Sequence, residues 1–326
     1  MLGTITSFDT KRRNRRGKQG LAASSVTETT VVPIKYHGGR VLSGATLNVY
    51  IIYYGTWPAK AGQNIIENFI SSMSLGSANK QGAAGDPKVS YWWATNTKYY
   101  SEAENETKSF VSTKNCGGFH EIKSPSFPFP PTPHTPPPPL PPPLPAAFPS
   151  TVVRSKIGPK KPFPYDANGI YLILASKNVK SDGFCTENCG FHSMGYLQPT
   201  SASDRQGVAF SLLVNPDGCQ DCMAYLKGNP TPNGNPGIDS MIFSIANSMA
   251  GPATNPDEFG WFDADRYESV GKCLALPDAF EPLLPAKNAK GQYFEYNVVG
   301  LKNMKFMVPK TWDLSTNTCV MQTIIT

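Results

Sequence analysis

The chain is short of charge. Asp, Glu, Lys and Arg supply 17% of its 326 residues, against about 25% in an average soluble domain. It holds no stretch of about 18 uncharged apolar residues, so no membrane-spanning helix is expected. Histidine is scarce, with four residues. The patterns His-Glu-x-x-His and Gly-x-Ser-x-Gly are missing, and Gly38-Gly39 is too short for a phosphate-cradling loop. Only His37 and His192 lie outside an unusual middle region, so a Ser-His-Asp or Cys-His machine lacks support. The net charge is +6, and much of it sits in the run Lys11-Arg12-Arg13-Asn14-Arg15-Arg16. Without interleaved aromatics this run reads as a solvated tail, and no nucleic-acid partner is expected. Residues 1–20 also lack the apolar run of a secretory signal, so either the protein is not secreted or this start is not the natural one.

Glycine and proline are abundant instead, at 28 and 31 residues, which excludes a helical bundle or coiled coil. Residues 1–30 are polar and aperiodic. Leu47–Tyr54, Gly169–Ala175 and Val208–Val214 are apolar, partly β-branched runs of strand length. Asn64–Ser72 places Ile65, Ile66, Phe69 and Ile70 at helical spacing, and a second helix is expected near Ser90–Trp93. Ile238–Ala250 has the same periodicity, with Asn235-Pro236-Gly237 as start signal and Gly251-Pro252 as stop. Residues 121–150 hold 14 of the 31 prolines. Proline fixes φ and has no amide donor, so this stretch is neither helix nor sheet. The expected fold is therefore α/β: one discontinuous domain, residues 31–100 and 166–326, with a mixed sheet flanked by helices and long Gly/Pro-rich loops. A Pro-rich insert would occupy 101–165.

Three clusters could carry chemistry. Cys185, Cys189, Cys219, Cys222, Cys273 and Cys319 suit three disulfides in Gly/Pro-rich loops, which we take as the main reading. Local pairs Cys185–Cys189 and Cys219–Cys222 would leave Cys273 with Cys319, though six cysteines allow 15 connectivities. A zinc site using Cys185, Cys189 and His192, or redox chemistry at Cys219-x2-Cys222, are the competing readings. Cys116 is the odd one out. Asp257, Glu258, Asp263, Asp265 and Glu268 form an acidic cluster around Trp261 and Phe262. Paired carboxylates there could serve glycoside hydrolysis, or form a calcium loop. The same cluster could instead be a solvated loop, with Trp261, Phe262 and Asp263 as binding candidates. Asn105-Glu106-Thr107 is a glycosylation sequon, modified only in a secreted chain.

A more specific pattern emerges from the order of short motifs. Tyr36-His37-Gly38-Gly39, Leu42-Ser43-Gly44, Val49–Gly55, Val89-Ser90-Tyr91-Trp92-Trp93 and Gly183-Phe184-Cys185 through His192 are joined by Thr254-Asn255-Pro256 and Trp312-Asp313. Together they resemble the plant EXORDIUM-like, phosphate-induced protein family. The resemblance covers roughly 31–100 and 167–319, and the six paired cysteines fall on family positions while Cys116 does not. It implies a secreted, apoplastic, cell-wall protein that promotes or signals growth by binding a wall polysaccharide or an extracellular receptor. No catalytic activity, cofactor or metal is implied. The chain departs from the family in its missing signal, its middle region and the tight Cys219-x2-Cys222 spacing. The helix before Thr254-Asn255-Pro256 is also similar to the zinc helix of some secreted metallopeptidases. Here Asn247 and Ser248 stand where ligands would, which implies a zincin-like scaffold without its metal.

Overall fold

The computed structural model describes residues 3–6, 32–44, 46–57, 59–102, 108–111, 122–123, 148–181, 183–197, 207–225 and 228–322. In chain order the first elements are β1 (Gly3–Thr6), β2 (Lys35–Tyr36), β3 (Val49–Tyr54), α1 (Ala59–Ser72), α2 (Val89–Ala94), β4 (Tyr100–Glu102), β5 (Lys108–Phe110) and β6 (Ile122–Lys123). They are followed by α3 (Phe148–Lys156), β7 (Ile170–Ala175), β8 (Asn188–Tyr196), β9 (Gly207–Val214), α4 (Pro236–Thr254), β10 (Trp261–Phe262) and α5 (Ser269–Leu274). Short two-stranded ribbons complete the C-terminal region: Leu284–Lys287 with Tyr293–Tyr296, Val298–Val299 with Lys305–Phe306, and Thr311–Asp313 with Thr318–Val320.

The main sheet runs β1-β8-β9-β7-β3-β6. Strands β3, β7 and β9 are parallel, and β8 is antiparallel to β9. The three strands expected from the sequence are thus neighbours in one mixed sheet. Their unbroken apolar runs have a physical reason, because both faces of the sheet are covered. Ile51, Leu172 and Leu213 point to one side with Ile66, Phe69, Ile242 and Met249 of α1 and α4. Ile52, Ile173 and Phe210 point to the other, with Val152 and Val153 of α3. The period of two sorts one strand sequence into two cores.

The folded body reaches into the stretch assigned to the insert. β4 and β5 form a hairpin, and α3 with Ile157 and Phe163 closes the second core. Residues 124–147, with 13 of the 31 prolines, lie outside the described residues, as do Asn105 and Cys116. Strand β8 is absent from the sequence expectation. Its sequence, NCGFHSMGY, holds two glycines and no β-branched residue, so its pairing is imposed by β9 rather than by propensity.

Helix α4 also differs from expectation. It continues through Gly251-Pro252 to Thr254, so the stop signal is overturned. Pro252 has no amide to donate to the carbonyl of Ser248 one turn earlier. The hydroxyl of Ser211 on β9 donates to that oxygen instead, at 3.1 Å. The sheet supplies the hydrogen bond that proline removes. At the other end, Asn235 accepts from the Ile238 amide as N-cap. Buried Asp239 accepts from Thr231 and Asn233, fixing the loop that enters the helix.

Three disulfides are present: Cys185–Cys219, Cys189–Cys222 and Cys273–Cys319. The last pair matches expectation; the local pairs do not. Gly190 is in register with Leu213, so the segment entering β8 lies alongside the loop leaving β9. The four cysteines therefore face each other across that junction and pair between segments.

Two measurements check these features. Non-reducing peptide mapping should return these three pairs, and replacing Cys273 and Cys319 by Ser should cost about 4 kcal/mol in urea unfolding, as expected for a 46-residue loop. Ser211→Ala should destabilise by about 1–2 kcal/mol by leaving the Ser248 carbonyl unpaired. Adding Pro252→Ala should recover much of that loss, because the new amide can take over; equal losses with and without it would refute the assignment.

Candidate functional site

The loop from Asn255 to Glu268 leaves α4, turns under residues 35–42, and returns to the start of α5. Its backbone is tied down by two bonds, His37 N–H to Gly260 O (2.9 Å) and Gly39 N–H to Phe259 O (2.6 Å), and the adjoining end of α4 by a third, Leu42 N–H to Ala253 O (2.9 Å). Gly39 allows this approach, since a Cβ there would come within 2.3 Å of the Phe259 backbone. Tyr36 pairs with Trp261 and Lys35 with Phe262 in the β2–β10 ribbon.

Three members of the acidic cluster, Asp257, Asp263 and Glu268, are engaged by the protein itself. Asp263, only 2% exposed, receives the amides of Asp265 (3.0 Å) and Tyr267 (2.9 Å) on one oxygen. Its other oxygen meets the Lys272 ammonium of α5 at 2.5 Å, and that ammonium lies 5.0 Å from the Trp312 ring centre. Asp257 accepts from the Phe259 amide. Glu268 joins His192 Nε2 at 2.9 Å through one oxygen and accepts from Asn255 Nδ2 at 2.6 Å through the other. The Asn255 side-chain oxygen in turn takes the Gly260 amide at 2.7 Å. One chain of bonds thus runs from β8 through α5 to the loop.

His192 is 6% exposed and lies in register with Ser211, beneath α4. The pair fits there because residue 251 has no side chain. A Cβ on Gly251 would come within 2.5 Å of His192 Cε1 and 2.6 Å of Glu268 Oε2. Burial pushes the imidazole pKa down, but the charge and hydrogen bond of Glu268, with a further contribution from Glu258, raise it above the ordinary histidine value. His192 Nδ1 and Ser248 Oγ are buried and have no hydrogen-bond partner among the described residues.

Trp261 and Phe262 are each 7% exposed. Trp261 packs edge-on against Tyr99 and Tyr100, and its indole donates to the Tyr100 carbonyl at 2.6 Å. Phe262 is stacked on His37, with ring centres 3.7 Å apart, and the Arg266 guanidinium lies 3.8 Å from its ring centre. The three binding candidates of the sequence therefore sit side by side, with most of their surface turned inward. The outward surface nearby belongs to Phe259 and Tyr267. The zinc set Cys185, Cys189 and His192 is dissolved, since both cysteines are in disulfides. The redox reading fails likewise, because Cys219 and Cys222 are not bonded to each other. Among the described residues no group of three or more His, Cys, Asp or Glu side chains converges as a metal site would require.

Sequence reasoning missed the His192–Glu268–Asn255 chain and the roles of Ser211 and Gly251. The one available signal was Gly251-Pro252, a pair that breaks helices unless the surroundings demand it.

The family model described as "Phosphate-induced protein 1 conserved region" matches residues 34–118 and 150–322. The gap between the two matched segments coincides with the Pro-rich stretch. The chain is 26% identical to Protein EXORDIUM-like 2 of Arabidopsis thaliana, over 92% of this chain and 93% of that protein. It is 25% identical to Protein EXORDIUM-like 5 of the same plant, over 89% and 78%. It is 25% identical to Protein PHOSPHATE-INDUCED 1 of Nicotiana tabacum, over 88% and 87%. No solved structure matches it.

The buried pair makes stability depend on pH. Because the folded pKa of His192 is raised, its contribution is fully present below about pH 6.5, the unfolded value. It is lost as pH rises through the higher folded value. The thermal midpoint should therefore fall as pH rises above about 6.5, beyond any general charge effect. Glu268→Gln should destabilise by roughly 3–5 kcal/mol at pH 6 and flatten this dependence. A wild-type and a variant profile of the same shape would refute the pairing.

Proposed function

Since the chain belongs to the phosphate-induced protein 1 family, with the EXORDIUM-like proteins as relatives, we propose that it is a secreted, non-enzymatic binding protein of the cell wall. In this reading it promotes or signals growth and cell expansion by engaging a wall component or an extracellular receptor. Three disulfides suit an oxidising compartment, and no described helix is long and apolar enough to cross a membrane.

The observation that carries the non-enzymatic reading is the closure of the His192–Glu268 pair under Gly251. A catalytic acid or base must be within reach of substrate. Here His192 is buried, Glu268 keeps only 11% of its side-chain surface exposed, and Glu268 spends both oxygens on protein partners. Asp263 spends its two oxygens on a lysine and two backbone amides. On the same reading α4 is the zinc helix of a metallopeptidase-like scaffold that has lost its ligands, with Asn247, Ser248 and Gly251 along it. A scaffold of that kind still presents its surface to a partner.

The test uses purified, disulfide-intact protein on isolated plant cell-wall material and on wall glycans and peptides. Saturable retention on the wall fraction, without release of soluble sugar or cleaved peptide, is expected. Hydrolysis abolished by Asp263→Asn or Glu268→Gln, in variants that remain folded, would replace this reading with that of a wall hydrolase.

A further inference from the structure

A cluster of positive charge lies on the opposite face of the sheet from the buried pair. Helix α3 covers the second core there with Val152 and Val153, and the turn after it is anchored by Ile157 and Phe163, both fully buried. Four backbone bonds close that turn: Ile157 N–H to Val153 O (3.1 Å), Gly158 N–H to Phe163 O (3.0 Å), Lys161 N–H to Gly158 O (3.1 Å) and Phe163 N–H to Lys156 O (3.0 Å). Its outward side carries Arg154, Lys160 and Lys161, all exposed, and the half-buried Lys156. No Asp or Glu occurs between Glu121 and Asp166. Among the described residues, none of the four cations meets a carboxylate. Three of them have a structural use. Arg154 and Lys156 stand in the last turn of α3, where cations suit the helix dipole. Lys161 donates to the Arg154 carbonyl and so caps the same helix end. Lys160 has no such use. It is exposed and sits at φ +59°, a left-handed backbone that glycine or asparagine adopts more easily.

We propose that this platform binds a linear acidic polysaccharide through the carboxylates of its uronic acid units. Arg154 Nε donates to the Tyr196 carbonyl at 3.2 Å. That bond fixes the guanidinium and leaves its two terminal nitrogens for a ligand, a planar fork that matches one carboxylate with two parallel hydrogen bonds. Lys156 and Lys160 add point charges on either side of the turn, which successive acidic units of one chain can meet. The closed backbone of the turn holds these charges in place beforehand, so little ordering opposes binding. Tyr165, 38% exposed and two residues beyond Phe163, offers an aromatic face for a sugar ring. An anionic membrane surface would instead call for apolar side chains to bury beside the charges. Among the described residues of 149–165 only Tyr165 is both large and exposed. The inference deepens the binding reading by naming the chemistry of the wall component, and it rests on that reading for its biological sense.

The experiment uses the disulfide-intact full chain, with polygalacturonate as the probe and its fully methyl-esterified form as the uncharged control. Binding should be saturable and absent for the methyl ester. It should weaken about 10-fold between about 0.05 M and about 0.3 M salt as screening grows. The triple variant Arg154→Gln/Lys156→Gln/Lys160→Asn should bind about 10-fold more weakly, each exposed charge contact counting for roughly twofold. Lys161 is kept because it caps the helix end, and asparagine tolerates the left-handed backbone at position 160. Peptide mapping of the three disulfides confirms that the variant is folded. Replacing the cations of Lys11–Arg16 by glutamine should cost less affinity than the triple change. Unchanged affinity in the folded triple variant, a larger loss from the Lys11–Arg16 change, or equal binding of the methyl ester would overturn the proposal. So would tighter binding of double-stranded DNA or of phosphatidylserine vesicles through the same three residues, since the ligand would then be another polyanion. Retention on whole wall material without affinity for polygalacturonate would overturn this inference alone, so its failure and that of the binding reading are told apart.

Discussion

Helix α4 crosses the sheet with a proline inside it, and the arrangement of the site follows from how that proline is accommodated. Pro252 frees the Ser248 carbonyl, and Ser211 from β9 pairs with it. This holds the last turn of α4 close over β8 and β9. Close approach in turn requires Gly251, since any side chain there would strike His192 or Glu268. The buried ion pair, the Asn255 bridge and the turn at Gly260 are built outward from that contact.

The same arrangement accounts for the chemistry that is available. A histidine beside a carboxylate is the raw material of general acid–base catalysis. Under α4 the two groups neutralise each other away from water, and the amide of Asn255 occupies the remaining carboxylate oxygen. Such a pair contributes specificity of packing more than net stability, because desolvation opposes the attraction. Its net effect is still to favour the charged imidazole, which ties the packing of α4 to mildly acidic conditions.

The disulfides do a different job from the core. Two of them staple the entry of β8 to the loop beyond β9, where the chain is rich in glycine and bends sharply; Gly183, Cys185 and Gly190 all have positive φ. The third ties α5 to the C-terminal ribbon at Cys319. The first two hold a turn-rich junction together, whereas the third joins two regular elements far apart in the chain.

The sequence by itself determined the elements whose patterns are local. The apolar runs of β3, β7 and β9, the periodic face of α1 and the cap of α4 are readable because strand alternation, helix spacing and capping are short-range physics. The motif order also placed the chain in its family. Only the tertiary structure decided the rest. β8 becomes a strand because β9 offers it hydrogen bonds, and α4 outruns its proline because Ser211 replaces the missing amide. The cysteines pair between segments because two loops meet at one sheet end. His192 and Glu268 stand 76 positions apart in the sequence and acquire their relation only when Gly251 leaves room for both. Contacts of that separation depend on which surfaces the fold brings together, and no local pattern encodes them.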